Sequence, residues 1–418
     1  MSIMHFKLMA SFGMVIGASL SNGHLAKSFK LPAISGFLLT GLIAGPSILG
    51  ILDSNQVASL QTIDHIALSF IALIAGSELK LESLKNQLWS ILAVTFGLSI
   101  VTLGITGSTV YAFSEWIPSL QNANMVNVIA ASLLLGTIMV ARSPSAAIAL
   151  INELGASGRF TQLILGVTIF MDVLVIALFA AALSISHSLV SGQSLALSFL
   201  AEIGLELSLS GLLGLGLAHV LHTLLRNEWR TDLSALLLVV LSSTVYLIAE
   251  LLHQAHFTLD HVQVKVEPLL ACLIAGIWLS NRSDQSQRLE KVAKEISPWV
   301  YVAFFTITGA SLALDQLLLV WPLAIGLFII RLIGLALGAT IGGLIAGEPS
   351  GQHAFRWMGF VTQAGVGLGL AKKLAVEFPE WGPSVSTLII AVIVMNEVCG
   401  PLFFRSAIYR SGEVTNHV

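Results

Sequence analysis

Apolar runs of roughly span length recur along the whole chain, separated by short stretches that hold most of the charge. A helix crossing a bilayer needs ~20 consecutive apolar residues. On that measure the pattern predicts thirteen segments, near 5–23, 32–51, 64–79, 87–113, 124–150, 160–184, 193–221, 233–252, 267–280, 297–313, 318–346, 354–376 and 384–404. The third and ninth are short, and Gly or Pro interrupts many others. The first segment, within MSIMHFKLMASFGMVIG, has the character of a signal peptide. It lacks a convincing cleavage site and runs directly into another apolar segment, so it reads as the first span.

Composition agrees with this reading. Of 418 residues, 56% are hydrophobic and 10% charged, with a mean hydropathy of +0.89, whereas a soluble domain carries about 25% charged residues. The chain is expected to be an all-α polytopic membrane protein. The net charge of −3 changes nothing, because the placement of basic residues sets orientation. With thirteen spans, fourteen of the 20 basic residues fall on one side, four (Lys7, Lys265, Lys372, Lys373) on the other, and Arg142 and Arg331 lie inside spans. The N-terminus is then outside and the C-terminus cytoplasmic, with a bacterial inner membrane as the expected location. Asn281-Arg282-Ser283 is a glycosylation sequon, but this topology places it in the cytoplasm. Cys272 and Cys399 sit in apolar segments without metal-ligand spacing, so neither a disulfide framework nor a metal cluster is expected. No cofactor motif or nucleic-acid footprint is present.

The third and tenth segments read alike. FIALIAGSELKLESL (70–84) aligns without gaps to AFFTITGASLALDQL (303–317), matching Gly76 with Gly309 and Glu82 with Asp315. IFMDV (169–173) in the sixth likewise matches IVMNE (393–397) in the thirteenth. Both pairs are seven spans apart, so the copies run in opposite directions. Repeat one covers about 5–184, a linker span about 193–221, and repeat two about 233–404. Inverted repeats of this kind build secondary transporters, with a site at the midplane made from broken helices. The fifth and twelfth spans are the expected broken, crossed pair. In span five, Pro144 removes a helix hydrogen bond, and Ser143 and Ser145 can satisfy the freed backbone groups beside Arg142. Span twelve carries Thr362, Gln363, Gly365, Gly367 and Gly369; Gly-mediated close packing of helices is the alternative reading there.

Asp172 lies mid-way along the sixth span with no charged residue for a dozen positions on either side. Such a group costs ~2.5–3.5 kcal/mol at membrane depth and usually faces water or a partner charge. A structural acid paired to another helix is the bland reading. The functional one is a proton or cation site, since burial favours the neutral acid and a neighbouring cation the carboxylate. Thr168, one turn earlier, lies on the same face and can add an oxygen, as can Ser143.

Taken in order, these motifs resemble the monovalent cation:proton antiporter superfamily over nearly the full length. LPAISGFLLTGLIAGPSILGIL (31–52) is similar to its second span, SPSAA (143–147) and TQAGVGLGLA (362–371) to its two helix breaks, and the segments ending in Gly76 and Gly309 to its third and tenth spans. The resemblance implies that Asp172 takes up cation and proton alternately, that Arg331 is the basic residue of span eleven, and that Ser143 precedes the breaking proline. It also implies a dimerisation domain, a core domain moving like an elevator, and a homodimer in the bilayer. The chain departs from the family at Met171, where a polar residue is usual, at Val167, where a glutamate often partners the arginine, and at Arg142, where a neutral residue is usual. The long nucleotide-binding tail of the potassium-efflux branch is not expected here.

Arginine stays protonated in proteins, so Arg331 is no proton carrier, and exchange of Na+ or K+ for H+ is expected to be electroneutral and one for one. A purely structural ion pair leaves that expectation intact. The candidate partners of Arg331 are Glu397, beside Asn396, and Asp172; Glu397 leaves Asp172 free for ions. Glu202, Glu206 and Glu250 read as interfacial or dimer-contact acids, and His219 and His222 as a solvated helix end. An anion carrier of the bile-acid type built around Arg142, and an inactive or regulatory antiporter homologue, are the competing readings. Enzyme activity is not expected, because the predicted spans supply one aspartate and no base at membrane depth.

Overall fold

The structure is a computed structural model that describes residues 3–29, 31–79, 81–191, 198–227, 230–254, 258–259, 262–263, 266–312, 314–363 and 365–414. Of the residues used above, Lys30, Lys80 and Lys265, and the side chains of Lys7, Glu202 and Asp315, lie outside that description. The described residues form fifteen α-helices: α1 (Ile3–Ser28), α2 (Ala33–Ala44), α3 (Ser54–Glu78), α4 (Leu81–Ala112), α5 (Met125–Ile138), α6 (Pro144–Leu154), α7 (Arg159–Ser191), α8 (Ser198–Arg226), α9 (Thr231–Gln254), α10 (Pro268–Arg282), α11 (Ser286–Ala310), α12 (Leu314–Ile345), α13 (His353–Arg356), α14 (Gly365–Glu377) and α15 (Gly382–Ser411). They fall on the thirteen predicted segments, with the fifth and twelfth each divided in two. Seven of them are long and apolar enough to cross a bilayer.

Four differences from the sequence reading have local causes. The second segment yields only twelve helical residues, because Pro46 follows Gly45 and cannot continue the helix. The third begins ten residues earlier than its hydropathy suggests. Asp53 accepts from the Gln56 amide at 2.8 Å while the Gln56 side chain accepts from the Asp53 amide at 2.9 Å, a reciprocal cap that starts the helix ahead of its apolar stretch. The tenth starts at Ser286 rather than 297, since its charged first turns form an amphipathic extension. A short antiparallel strand pair, β1 (Thr258–Leu259) with β2 (Val262–Gln263), departs from the all-α expectation.

The chain forms two units, each drawing on both halves of the sequence: Met1–Lys85 with Leu197–Leu312, and Asn86–Ala196 with Ala313–Val418. In the first unit, α3 packs on α10 and α2 on α11. Both crossings use glycines facing carbonyls. A Cβ on Gly76 would run into the Leu273 carbonyl and one on Gly276 into Leu73; likewise Gly309 meets Leu38, and Gly41 meets Thr306. The aligned glycines Gly76 and Gly309 thus do the same work in both places, letting backbones approach where a side chain cannot fit.

In the second unit, two acids hold the start of α7. Glu348, its side chain 2% exposed, accepts from Ser90 of α4 at 2.5 Å and from Arg159, the first residue of α7, at 2.9 Å, with Arg356 of α13 at 3.9 Å. Glu413, beyond α15, accepts from the backbone amides of Phe160 and Thr161 and from the Thr161 hydroxyl, each at 2.8 Å. A helix start has unpaired amides and a partial positive charge, and carboxylates satisfy both.

Gly41→Ala and Gly276→Ala are each expected to cost about 1–3 kcal/mol, lowering the thermal midpoint of the purified protein. Gly104→Ala, inside α4 where a Cβ meets nothing within 4 Å, does not lower the midpoint and is expected to raise it slightly, through about 0.5–1 kcal/mol of added stability. Burial alone would raise the proton affinity of Glu348, but the Ser90 and Arg159 hydrogen bonds and the Arg159 and Arg356 charges outweigh it and hold the carboxyl below its ordinary 4.5. An acid depressed in the folded state stabilises above its ordinary value and loses that contribution as pH falls through the folded one. Glu348→Gln is therefore expected to be less stable than wild type at neutral pH. The gap, followed by thermal unfolding against pH, closes on acidification below about 4.5.

Candidate functional site

The second unit contains both interrupted helices. α5 ends at Ile138, and α6 starts at Pro144, whose missing N–H suits the first helical position. Ser143 caps α6, its hydroxyl accepting from the Ala146 amide at 3.3 Å and lying 3.1 Å from the Ser145 hydroxyl. The second interruption follows a 3-10 turn at Trp357–Phe360 and ends where α14 begins at Gly365. The two interruptions touch: the Ser143 amide donates to the Thr362 carbonyl at 3.2 Å, and Gln363 Nε2 to the Ile138 carbonyl at 2.9 Å.

Ending a helix in the interior exposes carbonyls that no later turn can satisfy. Two guanidiniums meet them here. Arg331 of α12, fully buried, donates from Nε to the Met139 carbonyl at 3.0 Å, from Nη2 to Ala141 at 3.1 Å, and from Nη1 to Val361 at 3.0 Å. Its Nη1 also donates to Asn396 Oδ1 of α15 at 2.7 Å. Arg142, 1% exposed, folds back so that Nη1 donates to the carbonyls of Met139, Val140 and Ala141 at 3.1, 2.7 and 2.8 Å. Arg142 thus supplies the charge that balances the end of α5. Its Nε and Nη2 are buried without a hydrogen-bond partner.

Asn396 completes the network. Its Nδ2 donates to Gln363 Oε1 at 3.1 Å and to the Val392 carbonyl at 2.8 Å. Arg331, Asn396 and Gln363 are therefore joined by hydrogen bonds, Arg142 shares carbonyl acceptors with Arg331, and Ser143 with Ser145 joins the second interruption through the Thr362 carbonyl. Glu397, the expected partner of Arg331, lies next to Asn396 and is 2% exposed, but the shortest bond of the guanidinium goes to the neutral amide. Asp172 and Thr168 sit on α7, which packs against α5 and α6. Thr168 is buried and its hydroxyl donates to the Ile164 carbonyl at 2.7 Å, which leaves the oxygen lone pairs available. Asp172 is partly buried. Met171 is buried too, and its sulfur accepts from the Ser99 hydroxyl of α4 at 3.1 Å.

Sequence reasoning missed two contributors to this region and one further acid in the first unit. The acceptors of the guanidiniums are main-chain carbonyls, which carry no residue-type signal. Ser99 was one of many serines in an apolar run. Asp64, the first residue of the third predicted segment, lies well inside α3, so the spans hold a second aspartate besides Asp172.

The profile of the transmembrane sodium/hydrogen exchanger family matches residues 14–408. The Na(+)/H(+)-K(+) antiporter GerN of Bacillus cereus is 23% identical over 412 residues, 95% of either chain. The probable Na(+)/H(+) antiporter GerT of the same organism is 29% identical over 163 residues, 39% of this chain and 40% of its own. Two structures of the sodium proton antiporter MjNhaP1 from Methanocaldococcus jannaschii share the fold. One has a TM-score of 0.68 at 19% identity over 98% of this chain and 100% of that one, and the other 0.73 at 17% over the whole of both.

Removing the guanidinium of Arg331 takes a donor from Asn396 and from three buried carbonyls, of which Met139 and Ala141 keep only Arg142. Arg331→Met is expected to lower stability by about 3–5 kcal/mol, read as a lost or strongly lowered thermal midpoint. Arg331→Lys recovers part of this, because one ammonium cannot span the same acceptors.

Proposed function

The chain belongs to the transmembrane sodium/hydrogen exchanger family, within the monovalent cation:proton antiporter superfamily, and we propose that it exchanges Na+ or K+ for H+ at Asp172, one for one. One observation carries the reading: the two guanidiniums at the helix breaks, Arg142 and Arg331, are anchored on main-chain carbonyls there. They act as fixed charges, so the Asp172 carboxyl on α7 is the group able to trade one positive charge for another.

The same bonds narrow the ligand set. The carbonyls of Ile138, Met139, Val140, Ala141, Val361 and Thr362 already accept from Gln363, Arg142, Arg331 and the Ser143 amide. Oxygens for a cation then come from the Asp172 carboxylate, the lone pairs of Thr168 and Ser143, and water. A carboxyl holding a proton and one holding a monovalent cation carry the same charge, and neither arginine titrates, so the cycle moves no net charge. GerN, which carries both Na+ and K+ in its name, supports this ion class. The proposal includes thirteen crossings with the N-terminus outside and the C-terminus cytoplasmic, an inverted repeat, the Asp172 unit as the mobile core of an elevator, and a homodimer as the working form.

Anion carriage around Arg142 has one observation in its favour, the two buried and unpartnered nitrogens of that side chain. An inactive homologue has another, the sulfur of Met171 in place of a polar group. In liposomes holding a pH dye, added Na+ or K+ is expected to drive proton movement that falls to background in Asp172→Asn. Its rate should not change when the membrane potential is clamped at opposite signs. Transport that generates current would overturn the one-for-one ratio. Silence towards both cations, with activity gained in Met171→Asn, would mark an inactive homologue, and movement driven by an anion that is lost in Arg142→Gln would place the anion at Arg142.

A further inference from the structure

The first unit carries a carboxyl that exchange at Asp172 does not use. Counted from Ser54, Asp64 is residue 11 of the 25 in α3, roughly 15 Å from the helix start at 1.5 Å per residue. It therefore lies near the middle of the span-length stretch Ser54–Ser77. One turn earlier, Leu60 is packed in a buried cluster with Ile307 and Ala310 of α11. Asp64 accepts a hydrogen bond from the Thr308 hydroxyl of that helix, and its Oδ1 is buried with no hydrogen-bond partner.

The groups around it come from four helices. His65 on α3 stacks on Tyr246 of α9 with ring centroids 4.1 Å apart. Glu250, one turn along α9, interacts electrostatically with both rings, and Asp64 with Tyr246. From α10 the titratable groups are Cys272, which meets Ser69 of α3, and Glu267 at the helix start. From α11 the contact is the neutral Thr308. Among the described residues, no lysine, arginine or histidine nitrogen lies within 4.0 Å of the Asp64 carboxyl. An ionised carboxylate at this depth needs a cation or water. Its neighbours here are an acid, a phenol and a hydroxyl, together with a histidine that faces Glu250.

We propose that Asp64 is a second proton-binding carboxyl of the protein, held as a neutral acid by the burial of its unpartnered Oδ1 between α3 and α11, beside the Thr308 hydroxyl. Its proton is resident. It stays in place while Asp172 alternates between proton and cation, and it does not enter the exchange ratio.

The test is infrared spectroscopy of the purified protein at neutral pH, on an Asp172→Asn background that silences the exchange carboxyl. The expected result is a carbonyl-stretch band of a protonated, hydrogen-bonded carboxyl. The band moves to higher frequency in Thr308→Val and is missing in Asp64→Asn. With Asp172 intact, Asp64→Asn retains exchange at an unchanged cation-to-proton ratio. A spectrum with no Thr308-sensitive band shows that Asp64 is ionised and overturns the proposal, as does a folded Asp64→Asn whose ratio differs from wild type. Should Asp64→Asn fail to fold, Thr308→Val decides alone.

Discussion

Everything in the second unit depends on how the carbonyls at the end of α5 are satisfied. A helix that stops inside a bilayer leaves acceptors that water cannot reach, each costing several kcal/mol if unmet. Arg331 and Arg142 converge on them, sharing the carbonyls of Met139 and Ala141. Burying two like charges side by side is itself unfavourable. The arrangement holds because each guanidinium is planar and multidentate, so that one side chain answers several acceptors in fixed directions. Arg331 bonds to both interruptions and to α15 at once, which makes three separate chain segments a single rigid assembly.

The two units solve opposite packing problems. Where α2 crosses α11 and α3 crosses α10, the backbones are brought so close that only glycine is tolerated, and the contact is dispersion between main chains. Where α5 meets the interruption before α14, the backbones are held by hydrogen bonds through long polar side chains. The first arrangement is insensitive to charge. In the second, the buried charges are fixed by the hydrogen bonds themselves.

Much of this was legible in the sequence where residue type alone carries the constraint. Pro144 after Ser143 marks a helix start, Gly76 and Gly309 recur in matching contexts, and an arginine in LFIIRLIGLALG has to be held by something. The partner of that arginine was not legible. The eye looks for a carboxylate and finds Glu397, whereas the bonds run to Asn396 and to carbonyls that every residue possesses. Asp64 was hidden for a different reason. An averaging window registers the apolar run from Ala67 onward and discounts SNQVASLQTID, yet the Asp53–Gln56 cap starts the helix before that run. Capping chemistry, rather than hydropathy, sets where the third helix begins, and with it the depth of the acid.

The Glu413 contact also has a consequence in time. The amides of Phe160 and Thr161 wait for a carboxylate 253 and 252 residues further along the chain. At a synthesis rate of about 5–20 residues per second, the interval between translating α7 and translating its cap is roughly 13–50 s. During that interval the helix bearing Asp172 is in the translocation machinery or the bilayer with its first turn uncapped. Closure of this unit is therefore a late event in biogenesis, and a ribosome that stalls ahead of Glu413 leaves α7 frayed at its start.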